Sequence, residues 1–360
     1  MAASQSRINR PGFGQYGRMG KSHLRRSWAT LLIALAAIVA LVAPLHPAPA
    51  VAAPVDPVAA AAQVEPAVAR IDTEIDYQGA IGVGTGIVLD PGGQVLTNFH
   101  VVQGADRIHV TVAGRSFPAE LVGYDRGHDV AVLQLLGAGG LPVAPIGDSA
   151  QLVEGEPVVA LGNARGSNSP LTREVGNITG FGRTVNAEDA LTGSSDELTG
   201  LIEFAAPVRA GDSGGPVVNS AGQVVGITTA ASVNFRLGPG GEGFAIPIND
   251  AMGVAGQIRA RVPSDSVHIG PPTLLGVGVR TASRRDPGVL IADVLRGGPA
   301  EQAGLVSGDI LMMLDGTPLD SATTLTYVLD RHYPGDVIDL VWIDASGQER
   351  TGKATLSAGP

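Results

Sequence analysis

Short runs of apolar and β-branched residues, separated by turns rich in glycine, fill this chain from residue 68 to about residue 247. Residues 81–97 show the pattern clearly, because a Pro-Gly-Gly turn joins two apolar stretches. Residues 107–113 alternate between polar and apolar side chains, which is the period of a strand with one buried face. Many short strands joined by such turns predict an all-β barrel or sandwich.

Composition excludes several other classes of protein. The 360 residues include 50 glycines and only 16% charged residues, which excludes a coiled coil. A hydrophobic content of 44% is enough to bury a core, so disorder throughout the chain is excluded too. Cysteine is absent, which removes disulfides, thiolate metal sites and cysteine nucleophiles. The formal net charge of −10 disfavours nucleic-acid binding.

The first 52 residues have the properties of an export signal. They contain no acidic residue, and residues 28–43 form an uncharged apolar run shorter than the roughly 20 residues that span a bilayer. Ala-x-Ala patterns follow at 48–50 and 50–52, so residues 1–52 are predicted to be a cleaved signal peptide. An uncleaved membrane anchor is the alternative, and Arg25-Arg26 leaves twin-arginine export open. Each interpretation places the remainder outside the cytoplasm, secreted or in the cell envelope.

The exported part divides into four segments. Residues 53–65 are rich in Pro and Ala and predict a semi-extended tether. Residues 66–262 form the β-rich domain, which ends in a predicted helix. Residues 263–271 contain two Pro and two Ser and predict a linker. Residues 272–358 mix strand and helix patterns and predict a compact α+β module.

Three polar residues in the β-rich domain together suggest catalysis. His100 follows an apolar strand, Asp129 precedes another, and Ser213 lies in the turn Gly-Asp-Ser-Gly-Gly-Pro. A serine hydroxyl becomes a good nucleophile when a histidine takes its proton, and a carboxylate orients that histidine. Glycines beside the serine allow a sharp turn whose N–H groups point at a developing oxyanion. These residues therefore predict a His-Asp-Ser triad.

Other interpretations of the same residues are weaker. Each of the three alone would be an ordinary rim or turn residue. The serine turn also matches the Gly-x-Ser-x-Gly elbow of α/β hydrolases, but there the serine comes first and a helix follows it. Here the order is His, Asp, Ser, and a predicted hairpin follows the serine. His128 is a rival base, although its place just before a strand is typical of a solvated edge.

The chain resembles the HtrA/DegP-type serine proteases, and most closely their exported actinobacterial PepA-like members. The resemblance covers residues 66–358 and rests on four sequences: 96–102 around His100, 128–133 around Asp129, 210–216 around Ser213, and Gly-Phe-Ala-Ile-Pro at 243–247. It implies a chymotrypsin-like domain of two six-stranded β-barrels, followed by a PDZ domain. It also implies that His100 is the general base, Asp129 its orienting carboxylate and Ser213 the nucleophile.

The resemblance extends to the groups around the triad. It implies that the N–H groups of Gly211 and Ser213 form the oxyanion hole. Residues 206–208 are Ala-Pro-Val, so no carboxylate would receive Lys or Arg in the specificity pocket. Val208 and Ile227 match the pocket walls, which predicts cleavage after small aliphatic residues. The alternative is that these two side chains simply fill the barrel core.

One residue departs from the family pattern, in which Asn usually precedes the nucleophile. This chain has Asp212, the residue that binds a newly made N-terminus in pancreatic-type proteases. No Ile-Val-Gly-Gly activation sequence occurs here. We therefore expect Asp212 either to be held by a cation such as Arg209 or to face water.

Residues 272–358 resemble a bacterial PDZ domain. Leu275, Gly276 and Val277 match its carboxylate-binding loop, and residues 298–311 match its short helix and following strand. Such a loop receives a terminal carboxylate while the peptide adds as a strand beside it. A docking domain without a free peptide ligand is the alternative.

The sequence therefore predicts an exported serine endopeptidase of HtrA type, with a PDZ domain that binds peptide C-termini or regulates activity. Its expected partners are polypeptide substrates, with no nucleic acid, no metal and no cofactor, and with a membrane only if the N-terminal segment is retained. The resemblance also suggests a homotrimer. Two alternatives remain: a peptide-binding chaperone with an idle active site, and a membrane-anchored PDZ adaptor.

Overall fold

The computed structural model describes residues 56–76, 79–166, 169–188, 195–229, 241–281 and 288–359. The predicted signal peptide over residues 1–52 lies outside these ranges. Within them, no helix combines the length and the apolar character that crossing a membrane requires.

Residues 68–135 form a β-barrel, as predicted. Its strands pair in the order β5-β4-β1-β2-β3-β6, and a further pairing of β5 with β6 closes the ring. In β4 the apolar side chains of Ile108, Val110 and Val112 point inward, in agreement with the alternating sequence. The strands are β1 (Val68–Ile75), β2 (Ala80–Val88), β3 (Gln94–Thr97), β4 (Arg107–Val112), β5 (Arg115–Asp125) and β6 (Val130–Leu135).

A second closed barrel follows, with strands in the order β10-β11-β12-β9-β8-β7. The predicted hairpin after Ser213 is β10 with β11, paired antiparallel from Pro216 opposite Ile227. The mainly β, two-barrel prediction is thus confirmed. The strands are β7 (Pro157–Gly162), β8 (Thr172–Glu188), β9 (Ser195–Phe204), β10 (Pro216–Asn219), β11 (Val224–Thr229) and β12 (Gly243–Pro247).

Two segments differ from their predicted irregular structure. Within the tether, Pro57–Ala62 forms helix α1, capped by the Asp56 side chain, and it buries Ala60 and Ala61. Within the linker, Val267–Ile269 forms strand β13, which pairs with β5 of the first barrel. Both segments become regular because they pack on a barrel, which their own sequences do not reveal.

Two helices complete the barrels. The short helix α2 (Phe99–Val102) follows β3 and carries His100. Helix α3 (Ile248–Arg259) follows the second barrel, as predicted, and buries Ile248 and Ile258.

The C-terminal module is an α+β unit with its own hydrophobic core. Its main sheet has the order β15-β16-β17-β19-β20, and β18 pairs with β17. Its strands are β14 (Thr273–Leu274), β15 (Val277–Thr281), β16 (Val289–Val294), β17 (Ile310–Leu314), β18 (Thr317–Pro318), β19 (Val337–Ile343), β20 (Glu349–Thr355) and β21 (Ser357–Ala358). Its helices are α4 (Pro299–Gln302) and α5 (Ala322–Leu329).

The C-terminal module contacts the first barrel through the residue that ends α5. The Asp330 carboxylate accepts a hydrogen bond from the Tyr124 hydroxyl and one from Arg126 Nε, each at 2.6 Å. Burial raises the pKa of the Tyr124 hydroxyl, and the neighbouring Asp330 carboxylate raises it further. Tyr124 also stacks between Phe99 and His268, at ring-centroid distances of 4.1 and 5.0 Å. Tyr124 therefore connects Asp330 of the module to Phe99, the residue before His100.

Candidate active site

His100 and Asp129 form a hydrogen-bonded pair at the rim of the first barrel. His100 Nδ1 lies 2.8 Å from Asp129 Oδ2, and the His100 backbone N–H donates to Asp129 Oδ1 at 3.0 Å. The Asp129 side chain is 7% exposed, whereas that of His100 is 43% exposed. Because Asp129 contacts Nδ1, the Nε2 atom of His100 points away from the carboxylate. This is the orientation that a general base needs.

Asp129 has a strained backbone that its neighbours hold in place. Its φ of +53° is left-handed, which costs a residue with a side chain about 1–2 kcal/mol. Its carbonyl accepts a hydrogen bond from Asn98 Nδ2 at 3.0 Å, and its N–H donates to the Arg126 carbonyl at 3.0 Å. Such strain persists where the surrounding contacts fix it, and it is common at functional sites.

Ser213 lies in the tight turn between β9 and β10 of the second barrel, and it is 5% exposed. The glycines around it have left-handed backbones, with φ of +95° at Gly211 and +83° at Gly214. A Cβ atom on Gly214 would lie 2.0 Å from the Thr85 carbonyl oxygen, so no side chain fits there. The glycines are therefore required by both conformation and close packing.

Thr85 on β2 fastens the serine turn to the first barrel. Its N–H donates to the Ser213 carbonyl at 2.8 Å, and its hydroxyl donates to the Gly211 carbonyl at 2.6 Å. Its own carbonyl accepts from the Thr97 hydroxyl at 2.7 Å, three residues before His100. The turn that carries Ser213 is therefore held against the strands that lead to His100.

Thr229 forms a second link between the two barrels, and the sequence did not predict it. It lies on β11, is 1% exposed, and its hydroxyl donates to Asp129 Oδ2 at 3.3 Å. The residue before it, Thr228, accepts a hydrogen bond from the Gly214 N–H at 2.8 Å. Asp129 thus contacts the strand that borders the serine turn. A threonine in an apolar strand gives no local signal of this role.

His128, the rival base, belongs to a different pair. Its Nδ1 lies 2.8 Å from Asp125 Oδ2, and this hydrogen bond raises the pKa of His128 above its usual value. The side chains of His128 and Asp125 are 56% and 1% exposed. The structure therefore assigns the Asp129 carboxylate to His100 alone of these two histidines.

The remaining predicted site residues belong to the specificity pocket and to the PDZ loop. Val208 is 7% exposed and packs in the apolar cluster of the second barrel with Phe204 and Ala206. Ile227 has no exposed surface and lies in the main hydrophobic core. In the C-terminal module Leu275 is buried, Gly276 has a φ of +79°, and Val277 begins β15.

The structure corrects both expectations for Asp212. It is 1% exposed, so it does not face water. Arg209 approaches it with its backbone N–H, 3.0 Å from Asp212 Oδ2, while the Arg209 residue itself is exposed. Over the described ranges, no group of three or more His, Asp or Glu residues could hold a metal ion.

Two family models match this chain. A trypsin-like peptidase domain matches residues 84–227, and a PDZ domain matches residues 273–342. The first match begins beside Thr85 and includes His100, Asp129 and Ser213, and the second includes the loop around Gly276.

Similar proteins are found among curated sequences and solved structures. Serine protease PepD of Mycobacterium tuberculosis is 31% identical over 82% of this chain and 65% of its own length. Serine protease Do-like HtrA of Lactobacillus helveticus is 32% identical over 76% of this chain and 68% of its own. The structure of the HtrA-type protease AlgW with a decapeptide is 27% identical, covers 85% of this chain and 99% of the other, and has a TM-score of 0.48. The chain spans 57% to 64% of the length of three further curated relatives.

Proposed function

This chain belongs to the HtrA family of trypsin-like serine proteases with a PDZ domain, and we propose that it is a serine endopeptidase that works outside the cytoplasm. The observation that carries the proposal is the 2.8 Å contact between His100 Nδ1 and the buried Asp129 carboxylate, beside the strand that borders the Ser213 turn. Export is supported by the N-terminal sequence, and curated relatives include proteins named as periplasmic endoproteases.

The proposed reaction follows from the chemistry of these three side chains. His100 takes the proton of the Ser213 hydroxyl as Ser213 attacks the substrate carbonyl, and Asp129 stabilises the imidazolium that forms. The N–H groups of Gly211 and Ser213 stabilise the oxyanion. His100 then protonates the leaving amine, and water activated by His100 releases the acyl group from Ser213. This mechanism requires neither a metal nor a cofactor.

A fluorophosphonate probe tests whether the site reacts. We expect the wild-type chain to be labelled on Ser213, because the probe reacts with a serine that a histidine activates. The Ser213→Ala variant should show no labelling, and mass spectrometry of the labelled peptide identifies the residue. A wild-type chain that binds unfolded peptide but stays unlabelled would instead support the idle, chaperone-like alternative.

Small aliphatic residues are the proposed side chains before the scissile bond. Residues 206–208 provide no carboxylate, and burying an unpaired cation in such a pocket costs several kcal/mol. Val208 lies close to the serine turn in sequence and packs with apolar neighbours, which supports its proposed place in the pocket wall.

We expect peptides with Val or Ala before the scissile bond to be cleaved at least about 100-fold faster, in kcat/KM, than those with Lys or Arg. Val208→Ala should widen the pocket and raise relative cleavage after Leu or Met by about tenfold. The matched control is Val153→Ala, since Val153 is 61% exposed. Preferred cleavage after Lys or Arg would overturn the proposal of an apolar specificity pocket. Equal cleavage preferences in Val208→Ala and Val153→Ala would show that Val208 does not line that pocket.

The PDZ domain is proposed to bind the C-terminal ends of polypeptides. Among the described strands, β15 pairs only with β16, so its other edge can accept an added strand. Gly276, just before β15, has the left-handed backbone that a carboxylate-binding loop uses. These features support a role in docking substrates or in regulation.

A further inference from the structure

Asp212, the residue before the nucleophile, is buried and surrounded by hydrogen-bond donors. Its Oδ1 accepts from the Ala164 N–H at 3.1 Å and from the Thr172 hydroxyl at 2.5 Å, and its Oδ2 accepts from the Arg209 N–H at 3.0 Å. Over the described ranges, no cationic side chain forms an ion pair with it. Neutral donors therefore compensate for the burial of this carboxylate.

The donors match a carboxylate better than an amide. A carboxylate only accepts hydrogen bonds, whereas Asn offers one accepting oxygen and an NH2 group that donates. If Asn kept its oxygen toward Ala164 and Thr172, its NH2 would face the Arg209 N–H. If the amide were turned, its NH2 would face the Ala164 N–H. Either orientation sets a donor against a donor and removes one of the hydrogen bonds that Asp212 accepts.

These hydrogen bonds join the serine turn to both ends of the loop between β7 and β8. Ala164 follows β7, and Thr172 begins β8. The fit is close, because a Cβ atom on Gly162 would lie 2.1 Å from Asp212 Oδ1. Asp212 therefore fixes the position of the turn relative to the barrel that supports it.

The backbone of Asp212 determines the direction of the Ser213 N–H. The Asp212 N–H donates to the Arg209 carbonyl at 2.9 Å, and its carbonyl accepts from the Gly215 N–H at 3.0 Å. Because a trans peptide is planar, the Ser213 N–H points opposite to the Asp212 carbonyl. Holding the side chain and the carbonyl of Asp212 therefore also holds one of the two proposed oxyanion donors.

We propose that Asp212 is a positioning residue that keeps the oxyanion hole assembled, with Thr172, Ala164 and Arg209 as its donors. The Thr172 hydroxyl and two backbone N–H groups supply the hydrogen bonds that a cation would otherwise supply. The proposal rests on the proposed serine-protease function. With these donors in place, the serine turn needs no cationic partner to hold its active shape.

The test compares Asp212→Asn with wild type, using a peptide substrate and a fluorophosphonate. We expect kcat per titrated site to fall about 100-fold, as for loss of an oxyanion donor, with KM within about twofold. The rate of phosphonylation should fall in parallel, because that reaction uses the same donors. The matched control is Asp148→Asn, since Asp148 also accepts hydrogen bonds, from the Ala150 N–H and the Asn249 side-chain amide, but lies outside this network.

Thr172 provides a second variant pair in case Asp212→Asn does not fold. Thr172→Val keeps the shape and removes the donor, so kcat should fall about tenfold. Thr172→Ser restores the hydroxyl and should recover most of that rate. A residue with only a structural role would lower thermal stability without changing kcat per titrated site.

The outcomes separate the two proposals. If wild type reacts and both Asp212→Asn and Thr172→Val keep its kcat, the positioning role is wrong while the protease remains. If Thr172→Ser is as slow as Thr172→Val, loss of the hydroxyl donor does not explain the lower kcat, and the proposal fails. If wild type itself neither cleaves nor reacts with the probe, the proposed function fails and the positioning role fails with it.

Discussion

Replacing His100 with alanine should lower kcat by at least about 10⁴-fold, whereas the same replacement at His128 should leave kcat within about twofold. Both histidines contact a buried aspartate through Nδ1 at 2.8 Å, so the two pairs look alike locally. Only the Asp129 carboxylate also accepts a hydrogen bond from Thr229, on the strand that borders the serine turn. The proton of Ser213 is therefore expected to pass to His100.

The measurement is kcat with a peptide substrate, for the two single variants and the double variant at equal concentrations of folded protein. Circular dichroism of each variant provides the control for folding. The double variant should be no slower than His100→Ala. A large loss of activity in His128→Ala, with His100→Ala still active, would reverse the assignment of the base.

Asp330→Ala should lower the free energy of unfolding by about 3–5 kcal/mol. The change leaves the Arg126 guanidinium, in a side chain only 6% exposed, without the carboxylate that now pairs with it at 2.6 Å. Burial lowers the pKa of Arg126, and the pairing with Asp330 raises it overall. When the partner is lost, the guanidinium still keeps its charge, because arginine stays protonated in proteins. The Tyr124 hydroxyl loses its acceptor as well.

Urea unfolding followed by fluorescence measures the effect. The double variant Arg126→Met with Asp330→Leu should recover most of the loss, because replacing both partners removes the buried charge. Asp339→Ala is the matched control, since its pair with Lys353 is exposed and should contribute little. A stability of Asp330→Ala within 1 kcal/mol of wild type would contradict the buried-pair argument.

Strands with a clear alternating pattern could be predicted because each strand carries its own signal. The run from Arg107 to Val112 is an example, and the structure buries Ile108, Val110 and Val112 as expected. Helix α1 and strand β13 could not be predicted, because packing stabilises them. Ala60 and Ala61 show no helical period in the sequence, yet they are buried in the structure.

The residues of the candidate active site also fall into those that the sequence predicts and those that it does not. His100 and Ser213 stand in distinctive local sequences, and the structure places His100 against Asp129 as expected. Thr85 and Thr229 look like ordinary strand residues in the sequence. Their roles come from contacts with residues that are 126 and 100 positions away in the chain. The donors around Asp212 are likewise distant, since Thr172 is 40 residues from it. Local patterns carry no information about such partners.

Strand β13 also bears on how the proposed endopeptidase resists cleavage by other copies of itself. Proteases preferentially cut exposed, poorly ordered chain, and a connection between two domains is a typical target. Here the connection pairs with β5 where it passes the barrel, and Val267 and His268 are 2% and 1% exposed. The backbone of these strand residues is therefore withheld from the cleft of a neighbouring molecule, whereas residues 263–266 before them are exposed. Cleavage within residues 267–269 must first peel this strand from the barrel.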